Sequence, residues 1–211
     1  MSRQTSRLIR QAICFVLMLQ SAELFADWRE AVPNARRLGY GEMRVFGFAV
    51  YNAQFWSSRL TTDGTLDADA PFALELTYSR AISRDDLVKA SIKEIRRLSP
   101  NTQNSELMAR WEAEMFQAFV DVRAGDQITG VYMPGEGARF YVGKRLQHVV
   151  RDVAFAKAFF AIWLDPRTRN PELRARLLGG GAVRNVNDVP GLNRGLFWGV
   201  LGRLNGRGNL N

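Results

Sequence analysis

Cysteine and histidine are almost absent from this chain of 211 residues, which contains one of each, Cys14 and His148. One cysteine excludes an intramolecular disulfide framework and a thiolate metal site. One histidine excludes a multi-histidine metal site, and its strand position between Gln147 and Val149 favours a surface or hydrogen-bonded structural role. A Gly-x-Ser-x-Gly nucleophile elbow and a dinucleotide-binding glycine fingerprint are also missing. The sequence therefore predicts no metal, no cofactor and no catalytic residues.

Acidic residues are outnumbered, with 21 Asp and Glu against 29 Lys and Arg and a formal net charge of +8. The basic residues occur singly or in pairs, such as Arg36-Arg37, and interleave with acids instead of forming the cluster typical of nucleic-acid binding. We therefore expect no nucleic-acid partner. An anionic lipid surface or an acidic ligand fits the basic excess better.

An apolar run near the N-terminus follows three arginines. This run, residues 12–19 (AICFVLML), is too short to span a bilayer comfortably. The pattern is typical of a secretory signal peptide over residues 1–26, with cleavage after Ala26. Cleavage would remove the only cysteine and lower the net charge to +6, and it predicts a periplasmic or secreted protein. A retained N-terminal anchor is the alternative.

Residues 27–179 are predicted to form one globular domain, since the chain is 46% apolar and 24% charged. From residue 180 to 211, Gly and Asn dominate and acids almost vanish, which predicts a flexible basic tail. Within it, Leu196-Phe197-Trp198 could form a short amphipathic element. Peripheral membrane contact or partner contact through the tail therefore stays open beside a disordered extension.

The first half of the domain shows strand and helix patterns in turn. Glu42 to Trp56 has strand composition, with Gly47 as a bulge or a bend. Phe72 to Tyr78 alternates as a strand does. Ser83 then begins a helix through a capping-box pattern, and apolar residues recur along it at helical spacing.

The second half is more clearly patterned. A second amphipathic helix begins at Asn104 or Ser105. The block from Gly125 to Trp163 predicts three strands, separated by a Pro-Gly turn and a Gly-Lys turn, and then an apolar helix capped by Asp152. A short helix follows over Glu172–Leu178. This order predicts an α+β fold.

Aromatic side chains are numerous, and most of them must belong to the core. A sheet with helices on one side cannot bury all of them, which predicts an apolar pocket between sheet and helices. An arginine at the end of such a pocket would suit an apolar ligand with an acidic head. The aromatics in question are Phe46, Phe48, Tyr51, Phe55, Trp56, Phe72, Tyr78, Phe140, Tyr141, Phe159, Phe160 and Trp163.

Several motifs in this order resemble the chalcone isomerase fold, and specifically its bacterial exported chalcone isomerase-like branch. The resemblance covers about residues 39 to 179, nearly the whole predicted domain. Its pieces are Gly39-x-Gly41-x-x-Arg44-x-Phe46-x-Phe48-x-Val50-Tyr51, Leu76-Thr77-Tyr78 with Ile82-Ser83, Gly125-Asp126 through Tyr132-x-Pro134-Gly135-x-Gly137 to Leu164, and Pro171 to Leu178.

The resemblance implies an open-faced β-sandwich, a large antiparallel sheet with helices packed on one side. True chalcone isomerases close a ring on a flavonoid precursor, using an arginine, a threonine, a tyrosine and an asparagine around an ordered water. Plastid relatives bind fatty acids and have no known chemistry. Either activity would use the cleft between sheet and helices.

The enzyme's catalytic residues are not matched here. Alignment on the shared motifs puts Phe46 at the threonine position, Leu87 near the tyrosine and Glu94 near the asparagine. Arg44 could replace the catalytic or carboxylate-binding arginine, and Tyr51 and Tyr78 are further candidates for the cleft. An exposed strand arginine and two core tyrosines are the structural alternatives.

We therefore expect an exported, non-catalytic protein that binds a fatty acid or similar amphipathic molecule, with Arg44, Tyr51 and Tyr78 as ligand contacts. Two alternatives remain. One is an isomerase or intramolecular lyase that acts on a chalcone-like substrate. The other is an interaction scaffold at the membrane surface that makes contact through the C-terminal tail.

Overall fold

Six antiparallel strands form one sheet in which each strand pairs with the next one along the chain. The computed structural model describes residues 27–59, 69–99 and 104–180, so the predicted signal peptide and most of the predicted tail lie outside the described residues. The strands are β1 (Arg36–Val45), β2 (Phe48–Ser57), β3 (Phe72–Tyr78), β4 (Gln127–Met133), β5 (Gly137–Val142) and β6 (Arg145–Val150). The helices are α1 (Trp28–Ala31), α2 (Arg84–Leu98), α3 (Ser105–Ala118), α4 (Val153–Leu164) and α5 (Pro171–Leu177).

Helices α2 to α5 share one large core with one face of the sheet. This arrangement confirms the predicted α+β class, an antiparallel sheet with helices packed on one side. The opposite face carries a smaller cluster, in which Trp28 of α1 packs against Trp56 with ring centroids 5.5 Å apart. Among the described residues, α1 is the helix that packs on this second face, where Ala73, Val131 and Tyr141 are buried beside it.

Side-chain caps fix the predicted starts of the long helices. Ser83 Oγ accepts the backbone N–H of Asp86 at 3.2 Å, and Asn104 accepts the N–H groups of the first turn of α3. Asp152 accepts the N–H of Phe155 at 2.9 Å and so begins α4. Each cap satisfies donors that would otherwise have no partner within the helix.

The prediction of one strand over Glu42–Trp56 is wrong, because the chain reverses within it. Phe46 has φ +47° and Gly47 has φ +84°, and these two residues connect β1 to β2. Two-residue hairpin turns need positive φ at both positions when they are of type I′, and Asn or Gly usually occupies the first of them. The sequence pattern therefore did not indicate a turn, because phenylalanine is unusual at that position.

Glycine at positions 39 and 41 allows α5 to pack directly on β1. A Cβ atom at Gly39 would lie 1.9 Å from the carbonyl oxygen of Arg176 and 2.5 Å from that of Leu177. At Gly41 the nearest atom would be a methyl group of Leu173, at 2.6 Å. The Leu173 side chain near Gly41 can change its rotamer, whereas the backbone carbonyl groups near Gly39 cannot move without moving α5.

Gly39→Ala is therefore expected to lower the free energy of unfolding by about 3 kcal/mol, the upper end for overpacking, because backbone must move. Gly41→Ala is the matched control and should cost about 1 kcal/mol, since Leu173 can change rotamer. Urea denaturation of both variants measures the difference. Equal losses would contradict the close backbone packing of α5.

Candidate functional site: an apolar cavity between sheet and helices

A cavity of about 110 Å³ lies between the helix-covered face of the sheet and helices α2 and α4. Its lining is mostly apolar, although Asp86, Ser91 and Glu94 also contribute to it. It includes Leu74, Gly130 and Phe140, which pair across β3, β4 and β5. Tyr51 and Tyr78 line it further along β2 and β3, where they also pair across the strands. The four-residue step from Leu74 to Tyr78 makes these two regions roughly 13 Å apart.

The two tyrosines give the cavity its phenolic hydroxyl groups. The rings of Tyr51 and Tyr78 meet edge to face, with centroids 6.1 Å apart. Trp163 Nε1 donates a hydrogen bond to the Tyr51 hydroxyl oxygen at 2.9 Å. Since that oxygen accepts from Trp163, the Tyr51 O–H proton is directed elsewhere and can be donated.

Both phenols stay protonated at neutral pH. Desolvation raises the pKa of Tyr51 to about 12, although the hydrogen bond from Trp163 opposes the change. Desolvation, and then the proximity of Tyr51, raises the pKa of Tyr78 as well. A phenol whose pKa is raised donates hydrogen bonds and is a poor proton acceptor in catalysis.

The free energy of unfolding is expected to fall as the pH rises from about 10 to about 12, because tyrosines of the unfolded chain ionise near pH 10. Both folded pKa values are raised, so the contribution of Tyr51 and Tyr78 is intact below pH 10 and is lost above it. Urea denaturation at about pH 9 and about pH 11 measures the fall. Tyr78→Phe should make the fall shallower, and an unchanged slope would contradict the assigned shift.

A buried ion-pair cluster forms another part of the cavity wall. Glu94 is 3% exposed, lines the cavity and accepts hydrogen bonds from Arg97 Nε at 2.8 Å and Arg169 Nε at 2.6 Å. Arg97 also donates to the carbonyl oxygen of Arg167 at 3.0 Å. The two guanidinium groups compensate the charge of the carboxylate and hold it in one position.

Arg44 is not one of the described residues that line the cavity. Its side chain is 59% exposed, forms an ion pair with Glu42 and donates to the carbonyl oxygen of Gly47 at 2.8 Å. The sequence pattern did not predict the hairpin turn at Phe46 and Gly47. Arg44 lies beside this turn and not at the end of a cleft. The ligand contacts predicted for Arg44, Tyr51 and Tyr78 stay predictions, and of these three residues only the two tyrosines line the cavity.

The positions aligned with the enzyme's threonine, tyrosine and asparagine separate in space. Phe46 lies in the hairpin turn and is 63% exposed, whereas Leu87 and Glu94 both line the cavity from α2. Ala90 and Ser91 lie between them on the same helix and also line the cavity. The spacing of 87, 90, 91 and 94 is that of one helical face, the signal that could have identified Glu94 as a wall residue.

The model of the family described as chalcone isomerase-like matches residues 38–179. The chain belongs to the chalcone isomerase-like family. Among solved structures, this family member is similar to a fatty-acid binding protein of Arabidopsis thaliana, AtFAP1, with a TM-score of 0.54 and 13% sequence identity. The match covers 70% of this chain and 88% of that chain, and at this identity it shows the shared fold. No curated protein matches.

The described residues of this chalcone isomerase-like protein contain neither a membrane-spanning helix nor a cluster of metal ligands. Between residues 27 and 180, outside the two undescribed gaps, no helix has the length and apolar character needed to cross a membrane. Within the same residues no three His, Cys, Asp or Glu side chains come together as a possible metal site. His148 pairs with Glu114 at 2.6 Å and links β6 to α3.

Proposed function

We propose that this chalcone isomerase-like protein binds a fatty acid or a similar amphipathic molecule in the cavity and does not transform it. The observation that carries the proposal is an apolar cavity with two protonated phenols, Tyr51 and Tyr78, in one region of its wall. The fold is shared with AtFAP1, a protein described as binding fatty acids, which supports this class of ligand.

The apolar part of the ligand would lie along the row from Leu76 and Ile128 towards Phe140 and Phe159. The cavity of about 110 Å³ is smaller than the roughly 300–1,000 Å³ of most ligand pockets. An engineered apolar cavity of about 150 Å³ accommodates benzene, so a cavity of this size suits only part of an acyl chain. The rest of a long chain would extend out of the cavity, unless α2 and α4 move apart when it enters.

The acidic head would accept hydrogen bonds from the phenols. Tyr51 and Tyr78 are donors at neutral pH, and the bond from Trp163 orients the Tyr51 hydroxyl. Hydrogen bonds to a charged acceptor in a dry site are among the stronger ones. Two carboxylates also line the cavity. Arg97 and Arg169 compensate the charge of Glu94, and Asp86 lies in the first turn of α2, where the helix dipole favours a negative charge.

The three replaced positions support the non-catalytic part of the proposal. Phe46 is in an exposed turn, Leu87 presents only carbon to the cavity, and the Glu94 carboxylate is engaged by two arginines. The two hydrocarbon side chains cannot orient a water against a ketone, and the arginines occupy part of the hydrogen-bonding capacity of Glu94. The phenols that do line the cavity have raised pKa values and cannot act as bases near neutral pH.

Native mass spectrometry of protein purified from its host tests the proposal. We expect a copurified lipid, and we expect added fatty acid to raise the Tm of delipidated protein more than its methyl ester does. The ester keeps the chain and removes the charge, so it isolates the contribution of the acidic head. If no lipid copurifies and fatty acids leave the Tm unchanged, the proposal fails.

We also propose that the protein acts after export, as the pattern over residues 1–26 supports. N-terminal sequencing of protein from separated cell fractions should give Asp27 as the first residue, in the periplasm or the medium. Residues 1–26 retained on protein in the membrane fraction would instead support the N-terminal anchor.

A further inference from the structure

The polar side chains that α2 contributes to the cavity wall are hydrogen-bond acceptors. They are Asp86, Ser91 and Glu94. Asp86 accepts a hydrogen bond from Ser83 Oγ at 2.7 Å, and Ser91 Oγ donates its proton to the carbonyl oxygen of Leu87 at 2.9 Å. A serine hydroxyl has one proton and two lone pairs, so Ser91 keeps only acceptor capacity for a ligand. Helix α2 therefore calls for hydrogen-bond donors on the ligand.

Glu94 is the most deeply buried of these acceptors. It is 3% exposed, whereas Asp86 and Ser91 are half-buried. Its oxygen Oε2 accepts a hydrogen bond from Arg97 at 2.8 Å, and Oε1 accepts one from Arg169 at 2.6 Å. Neither arginine is among the lining residues, so both approach the carboxylate from outside the cavity. Since a carboxylate has roughly four lone-pair sites, Glu94 keeps acceptor capacity for a group inside the cavity.

The charge around Glu94 favours a neutral donor over a cation. Two guanidinium groups already compensate the single carboxylate. An ammonium group placed there would lose its hydration and would add to a local excess of positive charge. A hydroxyl group adds no charge, and its hydrogen bond to a charged acceptor is among the stronger ones.

An acyl chain in the cavity would pass this acceptor, because the cavity lies between α2 and the row of Leu76 and Ile128 on the sheet. A methylene group beside Glu94 would leave the remaining lone pairs of the carboxylate without a partner, whereas a hydroxyl group would supply one. The phenols of Tyr51 and Tyr78 suit the opposite kind of group, an acceptor such as an acid head. The two parts of the wall together suit an acid that also carries a hydroxyl group.

We propose that the ligand of the cavity is a hydroxylated fatty acid, and that its chain hydroxyl donates a hydrogen bond to Glu94. Glu94 is then the residue that selects hydroxylated chains over unsubstituted ones. A site that bonds a ligand hydroxyl discriminates against the analogue that lacks it, because the buried partner is left unpaired. This inference rests on the proposed function, since it requires an acid in the cavity.

Isothermal titration calorimetry of the delipidated full chain tests the inference. The ligands are dodecanoic acid and a series of hydroxydodecanoic acids in which the hydroxyl group moves stepwise along the chain. At least one isomer should bind about tenfold more tightly than dodecanoic acid, which is the gain expected from one hydrogen bond to a charged acceptor. The corresponding aminododecanoic acids should bind no more tightly than dodecanoic acid.

Glu94→Gln should remove the preference for the hydroxylated acid, because an amide oxygen is a weaker acceptor than a carboxylate. The two ligands are compared on the same variant, so a loss of stability affects both alike. Glu75→Gln is the matched control. Glu75 is also a buried carboxylate, 6% exposed, and accepts a hydrogen bond from Gln54 at 3.1 Å. It alternates with the lining residues of β3 and so lies on the opposite face of the sheet, and its variant should keep the preference.

The ligand series on the parent protein decides the question even if Glu94→Gln fails to fold. The inference is overturned if no hydroxylated isomer binds more tightly than dodecanoic acid, or if the amino isomers gain as much as the hydroxylated ones. A preference that persists in Glu94→Gln, or that disappears equally in Glu75→Gln, also overturns it. Dodecanoic acid that binds without any such preference leaves the proposed function standing, whereas the failure of every acid to bind contradicts both.

Discussion

Ala90→Phe is expected to abolish the stabilisation of this protein by fatty acids. Ala90 lies on the cavity face of α2, and a phenyl group there would fill much of a cavity of about 110 Å³. Ligand at a hundred times its Kd stabilises a protein by about 2.7 kcal/mol, which for a chain of this size raises the Tm by roughly 5–10 °C. Thermal denaturation of the delipidated parent and variant, with and without fatty acid, measures the loss.

Ala109→Phe provides the matched control for this substitution. Ala109 is an exposed alanine on α3 and is not among the lining residues, so the same change in size should leave the ligand effect intact. The two variants together separate a blocked cavity from a general effect of an added aromatic ring. An undiminished Tm increase in Ala90→Phe would mean that the ligand binds elsewhere.

Glu94→Gln is expected to lower the free energy of unfolding by about 3 kcal/mol, because breaking a buried ion pair leaves its partners uncompensated. Glu94 is 3% exposed and receives two guanidinium groups within 2.8 Å. An amide of the same size would present its N–H groups to those arginines or lose one of the two bonds. For a chain of this length the loss lowers the Tm by roughly 6–12 °C.

The exposed pair of Glu172 and Arg176 is the control for Glu94. Its atoms are 3.9 Å apart and both side chains are 51% exposed, so Glu172→Gln should change stability by less than about 0.5 kcal/mol. Urea denaturation of the two variants at neutral pH gives both values. Similar small losses would show that the cluster at Glu94 contributes no more than a surface pair.

Local chemistry made most of the fold predictable. Ser83, Asn104 and Asp152 are caps whose side chains accept hydrogen bonds from backbone N–H groups within three residues. The start of each helix can therefore be predicted from a short stretch of sequence. The block from Gly125 to Trp163 folds as three strands and a helix, because its turn residues and its alternating apolar residues are also local signals. The hairpin at Phe46 was not predicted, because its turn places phenylalanine at a positive φ that this residue rarely adopts.

The candidate site was less predictable, because it depends on pairs distant in sequence. Glu94 meets Arg169, 75 positions away, and Trp163 meets Tyr51, 112 positions away. Contacts between residues so far apart in sequence cannot be predicted from a local sequence pattern. Composition indicated an apolar pocket with tyrosines, but it suggested Arg44 as the polar end, and only the course of the hairpin shows that Arg44 lies beside the turn.

Nuclear Overhauser effects between an isotope-labelled fatty acid and the protein would show whether the ligand occupies the cavity. We expect contacts from the carboxyl end of the ligand to the ring protons of Tyr51 and Tyr78, and from its chain to Phe140 and Phe159. Contacts confined to the opposite face of the sheet around Trp28 and Trp56, or no contacts at all, would contradict binding in the cavity.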